Sequence, residues 1–574
     1  LEASRFDSFR LMAYLSPYMM LIIPNTFFLG AVFFSLVSMK KRMVYSYLGS
    51  ILFLVLYVWA ASHYMKLDSK EMAALLDPFG MATFFTTTQY WTPAEINTQL
   101  IPLSGAFLLN RVIWVSLGAL ILAFAFWRFK LVTVTENGGR KSSVKAVVED
   151  VDDMKVNVDL PKVKISHSSV NHIKQMLSLG WIDFTTVVKD LPFIGMVVAG
   201  LVLFFNSAIS VTGVYDGSNY PVTYLLLEYL RGNFILIMLI IITFYSGELV
   251  WRERGYKIDQ IMDSLPLPNW LYTGSKLWAM LLILLLMSVI LMISCLSIQI
   301  YHGFFDLNIP LYLSNIFSEQ LPVFFGFAVL AIFIQTLASN KFTGHVIVMF
   351  YYIIIAFGFD FIGLQHKLWQ FPLTPPSPYS DMNSFGHFLV GVRWYQLAWL
   401  FMMVIIFVIT TMFWKRGFNL SLRNRLRVAG AHFKGGTRAV FLFAVAGFIA
   451  VGGYIVYNTT VLNRFVTNKQ GEKNLVSYEK TYKKYEGIPQ PKVKAANLNV
   501  EIYPDQRNLV VNGTFKLKNE THDPIDSVHV LLSESVQLES CRIGDTSEIV
   551  LADTQQGYYV VKLSERLIPG QSVD

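Results

Sequence analysis

The chain has 574 residues, of which 54% are hydrophobic and only 15% charged; soluble domains carry about a quarter charged residues, so an ordinary soluble domain is excluded. The net charge of +8 does not point to nucleic acid, because the basic residues lie in loops beside apolar runs, where they set membrane topology. The two cysteines, Cys295 in an apolar run and Cys541 in a polar region, exclude a disulfide framework or a cysteine-based metal site.

Apolar runs long enough to cross a bilayer recur over more than 400 residues, unlike the single short run of a signal peptide. In chain order the predicted spans are 14–38, 43–61, 112–128, 192–213, 232–250, 272–300, 320–339, 344–364, 395–414 and 437–457. Lys40, Lys41 and Arg42 separate the first two. Lys415, Arg416, Arg423, Arg425, Arg427, Lys434 and Arg438 precede the last, with no acid among them. Short loops rich in Lys and Arg stay cytoplasmic. Ten spans put both clusters on that side and everything after Tyr457 outside. Beginning at Leu1 and ending at Asp574 within a strand-like pattern, the chain reads as an internal stretch of a longer protein.

The expected organisation is three spans over 1–130, a polar cytoplasmic linker over 131–165, and six spans within 166–415. A basic loop and tenth span follow over 416–460, then an extracytoplasmic linker over 461–496 and a β-domain over 497–574. The six-span unit opens with an amphipathic stretch carrying Ile173, Met176, Leu177, Trp181, Phe184 and Val188. Such a stretch suits the membrane interface.

The loop after the fifth span differs from the purely basic ones. It holds Glu248, Arg252, Glu253, Arg254, Asp259 and Asp263, and closes on Pro266 and Pro268. Topology needs only the basic residues, so the acids call for another role. A stiff hairpin of mixed charge suits docking onto a partner protein.

This stretch resembles the permeases of the ABC type-two transporter family, in which a Glu-Arg-Glu-like segment between the second and third spans contacts the ATPase subunit. The match holds at Glu253-Arg254 and departs at Gly255. The resemblance implies Glu248, Arg252, Glu253, Arg254, Asp259, Asp263 and Pro266 as the coupling loop, with Glu253 and Arg254 most exposed. It implies a separate ABC ATPase subunit that holds the ATP, and the bacterial inner membrane as the site of action.

Two further motif sets, Leu76-Asp77-Pro78-Phe79-Gly80 with Asn110-Arg111, and Tyr379-Ser380-Asp381 through His387, lie in predicted outer loops. With the charged loop they resemble bacterial proteins in which such permease units are fused to a gluzincin (aminopeptidase N-like) aminopeptidase. Their own expected role is loop packing, since Pro and Gly fix turns and Asn caps helices. From Asn497 onward, Leu498, Val500 and Ile502, then Leu509, Val511, Phe515 and Leu517, alternate with polar residues around turn signals. Val528, Val530, Tyr558, Val560 and Leu563 continue the pattern, which means antiparallel strands. The segment resembles the N-terminal β-domain that precedes the zinc-binding catalytic domain of those aminopeptidases.

The expected fold class is therefore an all-α polytopic bundle of about ten spans followed by the start of a β-sandwich. No His-Glu-x-x-His helix and no Gly-x-x-x-x-Gly-Lys loop is present, so this chain is expected to hold no cofactor and no catalytic residue. Zinc would belong to a downstream domain. His366, Asp381 and His387 read as loop residues, and Asp360 as an acid at the water boundary. The rival function is a membrane-anchored zinc aminopeptidase, but ten spans far exceed what anchoring needs.

Overall fold

The computed structural model describes residues 10–40, 49–50, 53, 57, 70–129, 168–211, 213–214, 217–218, 220–417, 422–463, 465–506, 508–533, 536–544 and 546–574. The chain divides into two compact units, Leu1–Phe359 with His366–Asn458, and Asp360–Gln365 with Thr459–Asp574.

The first unit is helical. Its elements are α1 (Leu11–Met39), α2 (Lys70–Leu76), α3 (Met81–Thr88), α4 (Gly105–Arg128), α5 (Ser169–Val188), α6 (Leu191–Val211) and α7 (Thr223–Gly255). They continue with α8 (Asn269–Tyr301), α9 (Ile309–Leu337), α10 (Lys341–Phe361), α11 (Phe388–Phe413), α12 (Leu422–His432) and α13 (Gly435–Val461). Eight helices among the described residues are long and apolar enough to cross a membrane: α1, α4, the Phe234–Gly255 part of α7, α8, α9, α10, α11 and α13. The expected span 192–213 corresponds to α6, which passes that test only together with α5, from which it is bent by 64°. The expected span 43–61 lies outside the described residues, save for four helical positions. The protein is thus a membrane protein of several spans.

Several helices start earlier than hydropathy predicts, α4 at Gly105 rather than 112 and α9 at Ile309 rather than 320. The added turns carry Asn110 and Arg111 in α4, and Asn315 and Glu319 in α9. These polar residues depress hydropathy without ending the helix, because each is buried with partners.

The interior of this unit is built on α7, α8 and α9, with Met238, Ile241, Ile283, Leu284 and Ala328 fully buried. The amphipathic helix α5 lies close against α8. A Cβ added to Gly180 would stand 2.7 Å from the Ser275 carbonyl oxygen, and one added to Gly274 would stand 2.6 Å from Met176 Sδ. Helix α5 leaves Ile173, Trp181 and Ile182 exposed.

Between α10 and α11 the chain folds back into the bundle. Gln370, Phe371 and Ser377 are buried. Tyr351 Oη, midway along α10, donates to the Phe371 carbonyl at 2.6 Å, and Trp399 Nε1 of α11 donates to the Leu373 carbonyl at 2.8 Å. Pro372 packs on Gly326 of α9, where a Cβ would meet it at 2.4 Å. Irregular backbone at membrane depth persists only where protein groups satisfy it, which these donors do.

The second unit contains α14 (Asn468–Tyr482) and two three-stranded antiparallel sheets. Strands β1 (Lys492–Tyr503), β2 (Asn508–Lys518) and β6 (Ser572–Val573) form the first, in the order β1-β2-β6. Strands β3 (Ile525–Leu531), β4 (Ser547–Asp553) and β5 (Tyr558–Leu567) form the second, in the order β3-β5-β4. Val528, Ile543 and Val561 make its small core. The alternating apolar residues of β1 and β2, such as Val500 and Phe515, are exposed in this chain.

Candidate functional site

The charged loop joins α7 to α8. Helix α7 ends in a Schellman turn: the Ile258 amide donates to the Glu253 carbonyl and the Lys257 amide to that of Arg254, at 3.0 and 3.1 Å. Lys257 takes the left-handed conformation (φ 59°) that this cap requires. A short helix, Asp259–Ser264, follows, and Pro268 leads into α8.

The charges lie at the ends of the surrounding helices and meet partners there. Glu248 accepts from Lys341 Nζ at 2.5 Å. Arg252 donates to Asp183 Oδ1 of α5 at 2.9 Å, and Lys276 of α8 donates to Asp183 Oδ2 at 2.9 Å and to Glu253. Lys276 is only 3% exposed, and Asp183 and Glu253 neutralise it. Arg254 covers the Trp251 ring at 5.2 Å and donates to the Lys415 carbonyl. Asp263 accepts from the Gly417 amide at 2.8 Å. Asp259 is half-buried, and Pro266 is exposed.

The expectation that Glu253 and Arg254 face outward is therefore corrected: both are half-buried and bonded within the bundle. The physical reason is that Lys276 and Lys341 enter at the starts of α8 and α10 and need acids, which explains the alternating signs without an outside partner. What the loop presents outward, beside Lys257, Gln260 and Ser264, includes four apolar side chains. Tyr256 is 73% and Ile261 67% exposed, with Ile258 and Leu265 beside them.

The 415–417 segment buttresses the loop from behind. Lys415 Nζ donates to the Ala338 carbonyl at 2.6 Å and sits over Trp251, and Arg416 donates to the Leu267 carbonyl. Arg425 of α12 donates to the carbonyls of Thr336, Leu337 and Phe413, the orphaned ends of α9 and α11. Burial, with Arg425 and Arg254 nearby, depresses the Lys415 ammonium to about 8. Burial, with Arg254 nearby, likewise holds Arg425 below the usual guanidinium range. Asp183, Lys276, Lys341 and Arg425 are thus the members of this site that the loop motif alone does not reveal.

The Asp77 and Asn110 motifs come together as a structural lock. Asn110 Nδ2 donates to the carbonyls of Ala74, Leu75 and Asp77, and Asp77 accepts from the amides of Phe79 and Ala82. Arg111 bridges Asn110 Oδ1 and Asn25 Oδ1. Gly80 has φ 72°, and a Cβ there would stand 2.2 Å from the Arg111 guanidinium. This is the packing role expected from the motif.

The Tyr379–His387 motif forms a tight loop closed by the Ser380–Ser384 bridge, with Phe385 buried and Met382 almost fully exposed. His366 caps a short turn through Nδ1, and burial lowers its basicity. His387 lies against Phe388. Among the described residues no group of three or more His, Cys, Asp or Glu side chains gathers in a way that could hold a metal. Asp360 is exposed, at the end of α10.

Comparison with protein-family models, curated proteins and solved structures finds no match for this chain.

Proposed function

We propose that this chain is the membrane permease component of an ABC-type transporter, driven by a separate ATPase subunit and joined to an extracytoplasmic aminopeptidase-like region. The observation that carries the reading is the knuckle at residues 256–268. It offers Tyr256, Ile258, Ile261 and Leu265 to solvent, while ion pairs to α5, α8 and α10 hold its base rigid. A rigid base under an exposed apolar tip suits a contact that must carry motion. ATP would bind the partner, and zinc a domain downstream; no residue of this chain is assigned to either.

In this reading α6 is counted as a span beside the eight, and the chain has the ten spans expected from the sequence. The knuckle and the 415–438 segment face the cytoplasm of a bacterial inner membrane. The chain after Tyr457 lies outside, where the two sheets begin a sandwich. Helix α5 lies in the membrane interface, which its exposed Ile173, Trp181 and Ile182 suit.

The test is co-purification of the full chain with an ABC ATPase. Ile261→Asp places an unpaired charge at the centre of the apolar tip and disturbs no buried contact. The expected result is a loss of ATPase association of about ten-fold or more with an unchanged melting temperature, as interface centres reject unpaired charge. No associated ATPase, or association unaffected by Ile261→Asp, overturns the reading and leaves the spans as an anchor.

A further inference from the structure

Helix α12 (Leu422–His432) is pinned where two spans end. Its buried Arg425 donates to the carbonyls of Thr336 and Leu337 at the end of α9, at 3.0 and 3.1 Å, and of Phe413 at the end of α11, at 3.2 Å. One turn on, Ala429 is buried too, so these two mark the face that α12 turns to the bundle. Only Phe433 and Lys434 separate α12 from α13, and the Phe433 ring meets Phe441, in the second turn of α13, edge-on at 5.4 Å. Helix α12 is thus held at the level where α9 and α11 end and α13 begins. In a membrane protein that level is the boundary between hydrocarbon and headgroups.

The surface left over at this boundary is both apolar and basic. Leu426 is 60% and Val428 43% exposed, and Arg427 between them in the sequence is exposed as well. Lys434 and Arg438 are exposed at the start of α13. Lys415, Arg416 and Arg425 are spent on carbonyls of the bundle. Arg427, Lys434 and Arg438 instead form no ion pair among the described residues, and the sequence holds no acid from Lys415 through Val461. Topology accounts for the basic residues, but not for apolar side chains left exposed beside them. Basic side chains interleaved with exposed apolar ones, on a helix at the water boundary, suit an anionic lipid surface.

We propose that α12 and the start of α13 form a docking surface for an anionic phospholipid of the adjoining leaflet. Arg427, Lys434 and Arg438 take the headgroup phosphate, and Leu426 and Val428 meet the upper part of the acyl chains. The depth fixed by Arg425 selects lipid as the occupant, because a lipid offers phosphate and hydrocarbon together at that level. The surface does not depend on the permease reading, since it needs only the spans.

The test titrates phosphatidylglycerol, or phosphatidylcholine with the same acyl chains, onto the purified full chain in nonionic detergent, with bound lipid counted by native mass spectrometry. The expected result is first-lipid affinity at least ten-fold higher for phosphatidylglycerol. Arg427→Gln with Lys434→Gln and Arg438→Gln, all at exposed positions, should abolish that preference. Lys469→Gln with Lys473→Gln and Lys480→Gln, an equal change of net charge on the exposed side of α14, should leave it intact. Leu426→Ser with Val428→Ser should weaken both lipids several-fold. The proposal is overturned by equal affinity of the native chain for the two lipids, or by a preference that survives the first triple change. Equal loss in the second triple change overturns it in favour of net charge alone. Undiminished binding in the Leu426 and Val428 variant, or full competition by inorganic phosphate, overturns it in favour of a simple anion site.

Discussion

Two polar clusters in the helical unit are built on opposite principles. In the lock around Asn110, side chains, the Asp77 carboxylate among them, reach mainly to backbone carbonyls and amides, and the Arg111 guanidinium is held by two amide oxygens. In the cluster around Lys276, side chains reach to one another, and the stabilisation is a balance of charges drawn from α5, α7 and α8. The first fixes one loop conformation. The second fixes how helix ends meet, and it fails asymmetrically, because removing any one charge strands the others.

The largest expected effect separates these principles. Lys276→Met leaves Asp183 and Glu253 crowded without their shared cation, and should cost about 3–5 kcal/mol, the range for breaking a buried pair. Denaturant unfolding in detergent measures it, and adding Asp183→Asn and Glu253→Gln to the same chain should recover most of the loss. A loss that the added changes do not recover would mean that packing, not charge, dominates there.

A smaller effect is expected in the lock. Gly80→Ala forces a side chain into the left-handed region, about 1–2 kcal/mol, and pushes on the Arg111 guanidinium. Arg111→Met in the same background should lower the cost of Gly80→Ala, and strictly additive losses would break the account of the lock as one unit.

The smallest effect is electrostatic and depends on pH. Lys415 is held at about 8, below its ordinary 10.5, so the folded state disfavours its charge. That penalty is full below about pH 8 and fades as pH rises toward 10.5, so stability from this group increases over that window. The group is half-exposed, so the gain should be a fraction of a kcal/mol. Lys415→Met should show a smaller rise in melting temperature between pH 7.5 and 10 than the native chain.

Much of the fold is legible in the sequence because apolar runs of span length have few other uses. The helix ends are not, since Asn315 and Glu319 read as loop until their buried partners are known. The folded-back segment reads as an outer loop, because its prolines break every period. Its depth is set by Tyr351 and Trp399, which lie on neighbouring spans. The Asp77–Gly80 motif is legible as a turn because Pro and Gly act locally. The charged loop is misleading for the opposite reason. Asp183 lies 93 positions from Lys276, so the acids appear unemployed until the helices are assembled.

The close seat of α5 on α8 has a mechanical consequence. At Gly180 there is no room for even a methyl group before the Ser275 carbonyl, and three residues further on Asp183 is bonded to Lys276. Beyond Val188 the chain turns a 64° elbow into α6. A sideways load on α5 therefore bypasses that elbow and passes straight into the first turns of α8, so the two helices swing as one lever arm with its short end beside the knuckle.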